Sequence, residues 1–346
     1  MIGTIVTSYK ANYSGEMRIA AYGLAVARVT LGLGAFCIWG WGQANSVLPQ
    51  VPPGNAETQG VREGLATVET DGVGKPLPDV PSMMREVEIH QRVAEAVLKN
   101  YLYHAVQTTQ EVDGNGSVKK TTTREYDNFW VSGVPVRRLV TKDGKELSTE
   151  EQKKESERID KEAAKAREKR EKQEAAGKET DPRGNEEITV SRILELGRFT
   201  NPRRVTINGR DTIAVDYAGD PKARTRNRSE EVIRDLVGTV WVDEHDRMIC
   251  KTEGHFLNAF KVGAGVLMNI RKDTSFSLEM KKVNDEVWLP ARIRGEGAAR
   301  ALLVFHFDGR FQEVDAGYRK FKATSTILPG MNKVEESGAP TVPVPQ

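Results

Sequence analysis

Five histidines, two cysteines and a scatter of carboxylates are the side chains with which this chain could do chemistry, and their spacing assembles none of the common reactive sites. His90 sits in a helical pattern with no histidine four residues away, so the zinc-protease spacing is missing. His104 and His306 fall on apolar runs and read as core or rim residues. His245 belongs to the acidic turn Asp243-Glu244-His245-Asp246, where aspartates bonding their own backbone account for the composition better than a cation does. Cys250, mid-strand between Ile249 and Lys251, reads as a small buried apolar group. No Gly-x-Ser-x-Gly elbow occurs. Gly114-x-Gly116 and Gly263-Ala264-Gly265 are too short for a phosphate loop. The pair Glu186-Glu187 suits the positive end of a helix better than glycoside hydrolysis. No catalytic residue, metal or cofactor is expected, and the chain is not read as an enzyme.

One local basic run stands out, Lys222, Arg224, Arg226 and Arg228, with Arg203 and Arg204 not far upstream. It is a candidate contact for lipid headgroups or an acidic partner, against the simpler reading of a solvated loop before a helix.

These residues work outside the cytoplasm if the first forty-four are a leader. Lys10, Arg18 and Arg28 precede an uncharged apolar run, Val29 to Trp41, followed by Gly42-Gln43-Ala44, the pattern of an export signal with a small-residue cleavage site. That run is shorter than the roughly twenty residues a spanning helix needs. The mature chain is expected to begin near Asn45 and to be periplasmic or secreted, with an uncleaved anchor over Ile19 to Trp41 as the alternative. Bulky Phe36 before Cys37 argues against lipid attachment there. Cleavage removes three basic and one acidic residue, so the net charge of +2 falls to zero. Nucleic acid is therefore not an expected partner. Only Cys250 survives cleavage, so no intramolecular disulfide staples the fold and a core of about two hundred residues must hold it.

The elements that position everything else follow from periodicity. Residues 45–80, rich in proline and glycine, read as a linker. Ser82 is expected to cap a helix to Lys99, with Met83, Val87, Val93, Val97 and Leu98 near one face. A long hairpin is expected around Asp113-Gly114-Asn115-Gly116, then short strands at Phe129–Val131 and Val134–Val140, ending at the turn Lys142–Lys145. From Ser148 to Ala176 the chain carries nine acidic and nine basic residues with Ile159 its one large apolar side chain. That insertion, ending near residue 184, is read as a frayed, protruding helix that buries no face and could serve as a handle for an envelope partner. Asn185 is expected to cap a short helix stopping at Gly197, and another helix is expected over Ser229 to Leu236. Strands are expected at Arg204–Ile207, Thr212–Tyr217, Gly238–Val242, Arg247–Glu253, Thr274–Met280, Val287–Ile293, Ala301–Phe307 and Arg310–Val314, with a turn at Asp308-Gly309. A disordered Pro-rich tail follows residue 328. The fold class is α+β: a curved open antiparallel sheet, or half-barrel, wrapped around a few helices.

The segment Gly238-Thr239-Val240-Trp241-Val242-Asp243 with its turn, the alternating strand from Thr274 to Met280, Trp288-Leu289-Pro290 after a hairpin, and Tyr318-Arg319-Lys320-Phe321 resemble the outer-membrane lipoprotein-sorting family, the superfamily of LolA, LolB and RseB. The resemblance covers residues 190–328 well and 82–140 loosely. It implies one LolA-like domain over 81–328, interrupted by the insertion at 148–184, with an apolar concavity for acyl chains. Trp241, Phe256, Leu267, Phe276, Leu278, Trp288 and Phe305 are then the candidate lining, and the partner is a lipid or the acyl chain of a lipoprotein. An envelope sensor or scaffold using the same fold for protein contact is the alternative, and a secreted hydrolase the third reading.

Overall fold

The computed structural model describes residues 67–69, 75–262, 268–272, 274–301 and 305–320. The leader, the linker up to residue 66 and the Pro-rich tail lie outside them. Fourteen strands form one sheet in which every pairing is antiparallel. The strands are β1 (Thr67–Glu69), β2 (Tyr101–Val112), β3 (Val118–Val131), β4 (Val134–Lys142), β5 (Lys145–Glu146), β6 (Gly197–Ile207), β7 (Arg210–Gly219), β8 (Leu236–Asp243), β9 (Met248–Phe256), β10 (Phe260–Val262), β11 (Met268–Ile270), β12 (Ser275–Val283), β13 (Val287–Ala301) and β14 (Phe305–Lys320). Their order is β1-β6-β7-β8-β9-β12-β13-β14-β2-β3-β4-β5, with β10 and β11 joined to the side through β13, and the two ends do not meet. Hairpins dominate because tight turns are written into the sequence. Asn208 and Gly209 adopt φ of 50° and 75°, and Asp143 and Gly144 50° and 74°, the left-handed pair that a two-residue hairpin loop requires.

Three helices cover the inner face of the sheet and a fourth, the longest, lies on the outer face. Helix α1 (Val80–Leu98) is capped by Asp79, whose Oδ2 accepts the Ser82 N–H at 3.0 Å, so the cap lies three residues before the serine expected to provide it. Met83, Met84, Val87 and Leu98 are buried, whereas Val93, placed on the same face by sequence, is 67% exposed. Helix α3 (Val190–Leu196) is capped by Thr189 rather than Asn185, and the loop before it is held by a bridge between Thr180 and Glu186. Helix α4 (Arg228–Arg234) starts at Asn227, as composition suggested to within two residues.

Two expectations fail for identifiable reasons. Helix α2 (Thr149–Ala175) is not a protruding rod: Ile159, Ala163 and Ala166 are 3%, 1% and 8% exposed and pack on Phe129, Val134 and Val136 of the outer face. One isoleucine and two alanines at i, i+4 and i+7 suffice because the alanines let the helix backbone approach the strands closely. The Ser148–Glu151 capping box then fixes its start. Second, Asp308-Gly309 is no turn but mid-strand, Gly309 pairing with both Gly297 and Glu111. The apolar run 301–307 therefore spans the connection between β13 and β14, of which residues 302–304 lie outside the described residues.

A row of paired residues crosses the inner face: Tyr217, Gly238, Gly254, Phe276, Gly295 and Phe311, one per strand from β7 to β14. A Cβ on Gly238 would sit 2.0 Å from the Glu253 carbonyl oxygen, and one on Gly254 2.8 Å from the Phe276 ring. The neighbouring strands thus approach more closely there than a side chain permits, with aromatic rings filling the space above the glycines.

Candidate functional site

The inner face under α1 and α3 is apolar at its floor and acidic at its rim. Met84, Val190, Ile193, Phe199, Tyr217, Val240 and Ile249 enclose a void of about 30 Å³, room for one water, with Glu88, Gln91, Arg92, Glu95 and Glu187 along its mouth. Two ion pairs hold α1 on either side of its midpoint, Glu86 with Arg247 at 2.8 Å and Arg92 with Glu179 at 2.9 Å. Among the described residues α1 makes no backbone hydrogen bond to the sheet. Its seat is side-chain packing alone. Burial and the nearby carboxylates of Glu187 and Asp181 push Glu95 up to about 7, only partly offset by Arg92. Burial likewise raises Glu187, against the pull of Arg92. Sequence reasoning missed this rim, although Glu88–Arg92 and Gln91–Glu95, each four apart, were there to be read as one helical face.

A second, more polar surface is an open trough of about 1010 Å³ that runs across β7, β8, β9, β12, β13, β14 and β2. Its lining takes both parities, the row of Tyr217, Gly238, Gly254, Phe276, Gly295 and Phe311 and the rows on either side of it that end at Thr108 and Gln110, and no helical residue contributes. Thr239, Ser275 and Ser277 form its middle, with Glu253, Glu296, Arg294 and Arg310 around them. Arg310 pairs with Glu296 at 3.1 Å and Arg294 with Glu279 at 3.4 Å.

The aromatic and aliphatic candidates scatter between these surfaces. Trp241, Phe256, Leu278 and Trp288 are 8%, 2%, 6% and 6% exposed. Phe256 and Leu278 belong to the inner core. Trp241 lies under the Lys251 ammonium, 4.6 Å from its ring centre. Trp288 donates from Nε1 to Asp246 at 2.9 Å beneath Arg210. Phe276 is half-buried beside the α3–α4 core and is itself among the residues lining the trough. Leu267 lies outside the described residues, and Phe305 opens β14 with its side chain not described. In the basic run, Lys222, Arg224 and Arg226 are exposed, while the loop backbone is held by Asp220, Arg192 and Glu230. Arg228 opens α4. Arg203 and Arg204 are tied elsewhere, to Asp216 and Glu244.

The remaining chemistry-bearing groups stay apart. Cys250 is 4% exposed, and burial pushes its thiol up to about 12. Asp243 Oδ1 accepts the backbone N–H groups of His245 and Asp246, the self-bonded turn that composition suggested. Among the described residues no group of three or more histidine, cysteine, aspartate or glutamate side chains converges on a point.

No family model matches the chain, and no curated protein does. Solved structures do. One is a LolA superfamily protein from Nitrosomonas europaea, 8% identical, with a TM-score of 0.24, covering 68% of this chain and 93% of that one. Another is the complex of MucA and MucB from Pseudomonas aeruginosa, 9% identical over 69% of this chain and all of the matched one, with a TM-score of 0.18. The first of these carries the LolA superfamily name, and at these scores neither bears on what this chain does.

Proposed function

We propose that this chain is a cell-envelope binding protein that shelters an acyl chain, of a lipid or an acylated protein, between α1, α3 and the inner face of the sheet. The observation that carries the reading is an apolar floor closed by a helix that has no backbone tie to it. A site that buries a ligand of this size needs about 300 Å³ or more, so the one-water void is a closed state and α1 must swing to admit a chain. Burying ten methylenes yields about 8 kcal/mol, which is set against the two ion pairs of α1 and whatever part of the Met83, Met84 and Val87 packing is exposed when it swings.

The test is a cysteine pair across the seam, Gln91→Cys with Ile188→Cys, in the chain from Asn45 with Cys250 replaced by serine. Reduced protein is expected to take up one twelve-carbon fatty acid by native mass spectrometry, and oxidised protein none. Uptake by neither form, or equally by both, overturns the reading.

A further inference from the structure

One charged cluster on the inner face belongs neither to the seam nor to the apolar core. Gln107 of β2, Tyr126 and Asn128 of β3, Arg137 of β4, and Glu313 and Asp315 of β14 share inner-face parity, and none is more than 6% exposed. The Arg137 guanidinium lies over the Tyr126 ring, 3.8 Å from its centre, and reaches back across two strands to Glu313 at 2.9 Å. Gln107 donates to the same Glu313 oxygen at 3.2 Å. Fully buried Ala105, between Asp315 and Tyr126 in the strand register, leaves the room this long side chain needs.

Asp315 has no such partner. Neither of its carboxylate oxygens makes a hydrogen bond, and neither polar atom of Asn128, 1% exposed, does so either. Buried polar atoms are almost always satisfied, and each orphan costs about 1–3 kcal/mol. Glu313 and Arg137 are the charged groups that act on Asp315, and Arg137 already serves Glu313. Arg124, the next cation on β3, interacts with Tyr126 instead. The site thus holds a carboxyl whose neutral form burial and Glu313 favour in the ligand-free protein and which offers two free acceptors once a cation draws its proton off, with the unpaired Asn128 amide two strands across and two residues along the register.

We propose that Asp315 and Asn128 receive the protonated primary amine of an amphiphile. An ammonium brings one positive charge and three donors to a place that has surplus acceptors. A quaternary ammonium brings the charge without the donors and leaves Asp315 orphaned. A divalent cation fits worse, because no third carboxylate or histidine joins the site. The cluster adjoins the packing under α1 through Tyr318, whose ring is 5.6 Å from that of Tyr103 and packs against the core. This placement of a headgroup rests on the acyl-binding reading, whereas recognition of the amine does not.

The experiment uses the chain from Asn45 and four probes of equal chain length where they have one: a lysophospholipid with an ethanolamine head, one with a choline head, a fatty acid, and free ethanolamine. The ethanolamine lysolipid is expected to bind at least tenfold tighter than the choline one. Asp315→Asn should bring them within twofold, with Asp315→Ser as a second variant and thermal melts establishing that each is folded. Equal affinity for the two heads, which would mean that waters alone fill these valences, overturns the proposal, as does a preference that survives Asp315→Asn. Fatty-acid uptake without head preference sinks the amine site alone. Binding of free ethanolamine that Asp315→Asn abolishes, with no amphiphile bound, supports the amine site and sinks the acyl reading.

Discussion

At the scale of single residues, two carboxyls make this protein's stability depend on pH. Asp315 is held well above the ordinary aspartate range by burial and by Glu313, against the smaller opposing pull of Arg137. A carboxyl whose folded pKa is raised keeps its proton in the native state where the unfolded chain has lost it. Stability therefore declines as pH rises from about 4, the unfolded value. Ligand-free Asp315→Asn should melt higher than the parent at pH 8 and converge with it near pH 4, a difference that melts across that range would read. Glu95, pushed up to about 7, acts in the same sense: stability it contributes near pH 4.5 is lost as pH rises through 7. Glu95→Gln should flatten that part of the profile and slow the exchange of amide hydrogens in α1 at pH 8, and an unchanged profile would remove the rim from the account. Neither carboxyl was legible in the sequence. Glu95 is one glutamate among many on a mixed helix face, and Asp315 gains its character only when β14 is laid beside β2, two hundred residues earlier in the chain.

At the scale of elements, the charged insertion shows what composition conceals. Counting charges over Ser148 to Ala176 suggests a helix with nothing to bury, yet a stripe three residues wide docks it, and its polar side chains finish the sheet. Glu155 accepts the Leu139 N–H at 2.8 Å, and Arg158 donates to the Arg137 carbonyl at 2.5 Å, so α2 satisfies main-chain groups along the otherwise open edge of β4. Ala163→Glu, which forces a charge into that stripe, should cost at least about 2 kcal/mol and release α2 to fast hydrogen exchange while the remaining strands stay protected. Ser148→Ala, which removes only the cap, should cost about 1 kcal/mol and leave the docking intact. Where local rules decide the outcome, reading from sequence succeeded: the hairpin turns at Asp113–Gly116, Lys142–Lys145 and Asn208-Gly209 are all present. It failed where a partner element decides, as at Ser82, Asn185 and Gly309, each an ordinary local signal overruled by a better cap or a longer strand.

At the scale of the whole molecule, the sheet guards both its ends. One is covered by α2, and the other by β1, drawn from a segment that composition marked as linker. Arg204 and Glu244 form a pair only 9% and 7% exposed, and Arg204 also donates to the carbonyls of Lys75 and Pro76. This hydrogen bonding with Arg204, helped by the Lys75 ammonium, holds Glu244 at about 2. A chain starting at Lys75 loses β1 and bares the edge of β6. It should self-associate with rising concentration by light scattering where the chain from Asn45 does not. One open antiparallel sheet was expected, but the order of its strands and the choice of inner face could not be read in advance, since each depends on pairings such as β14 with β2 that no turn announces.

That grip at Lys75 and Pro76 has a mechanical meaning. Any tension arriving along the N-terminal arm must first peel three residues of β1 from β6 and then break the Arg204 clasp before it can tug on α1. If α1 opens as proposed, the clasp acts as a fuse in front of it: a pull too weak to break it leaves α1 in place, and Arg204→Ala would let the same load through.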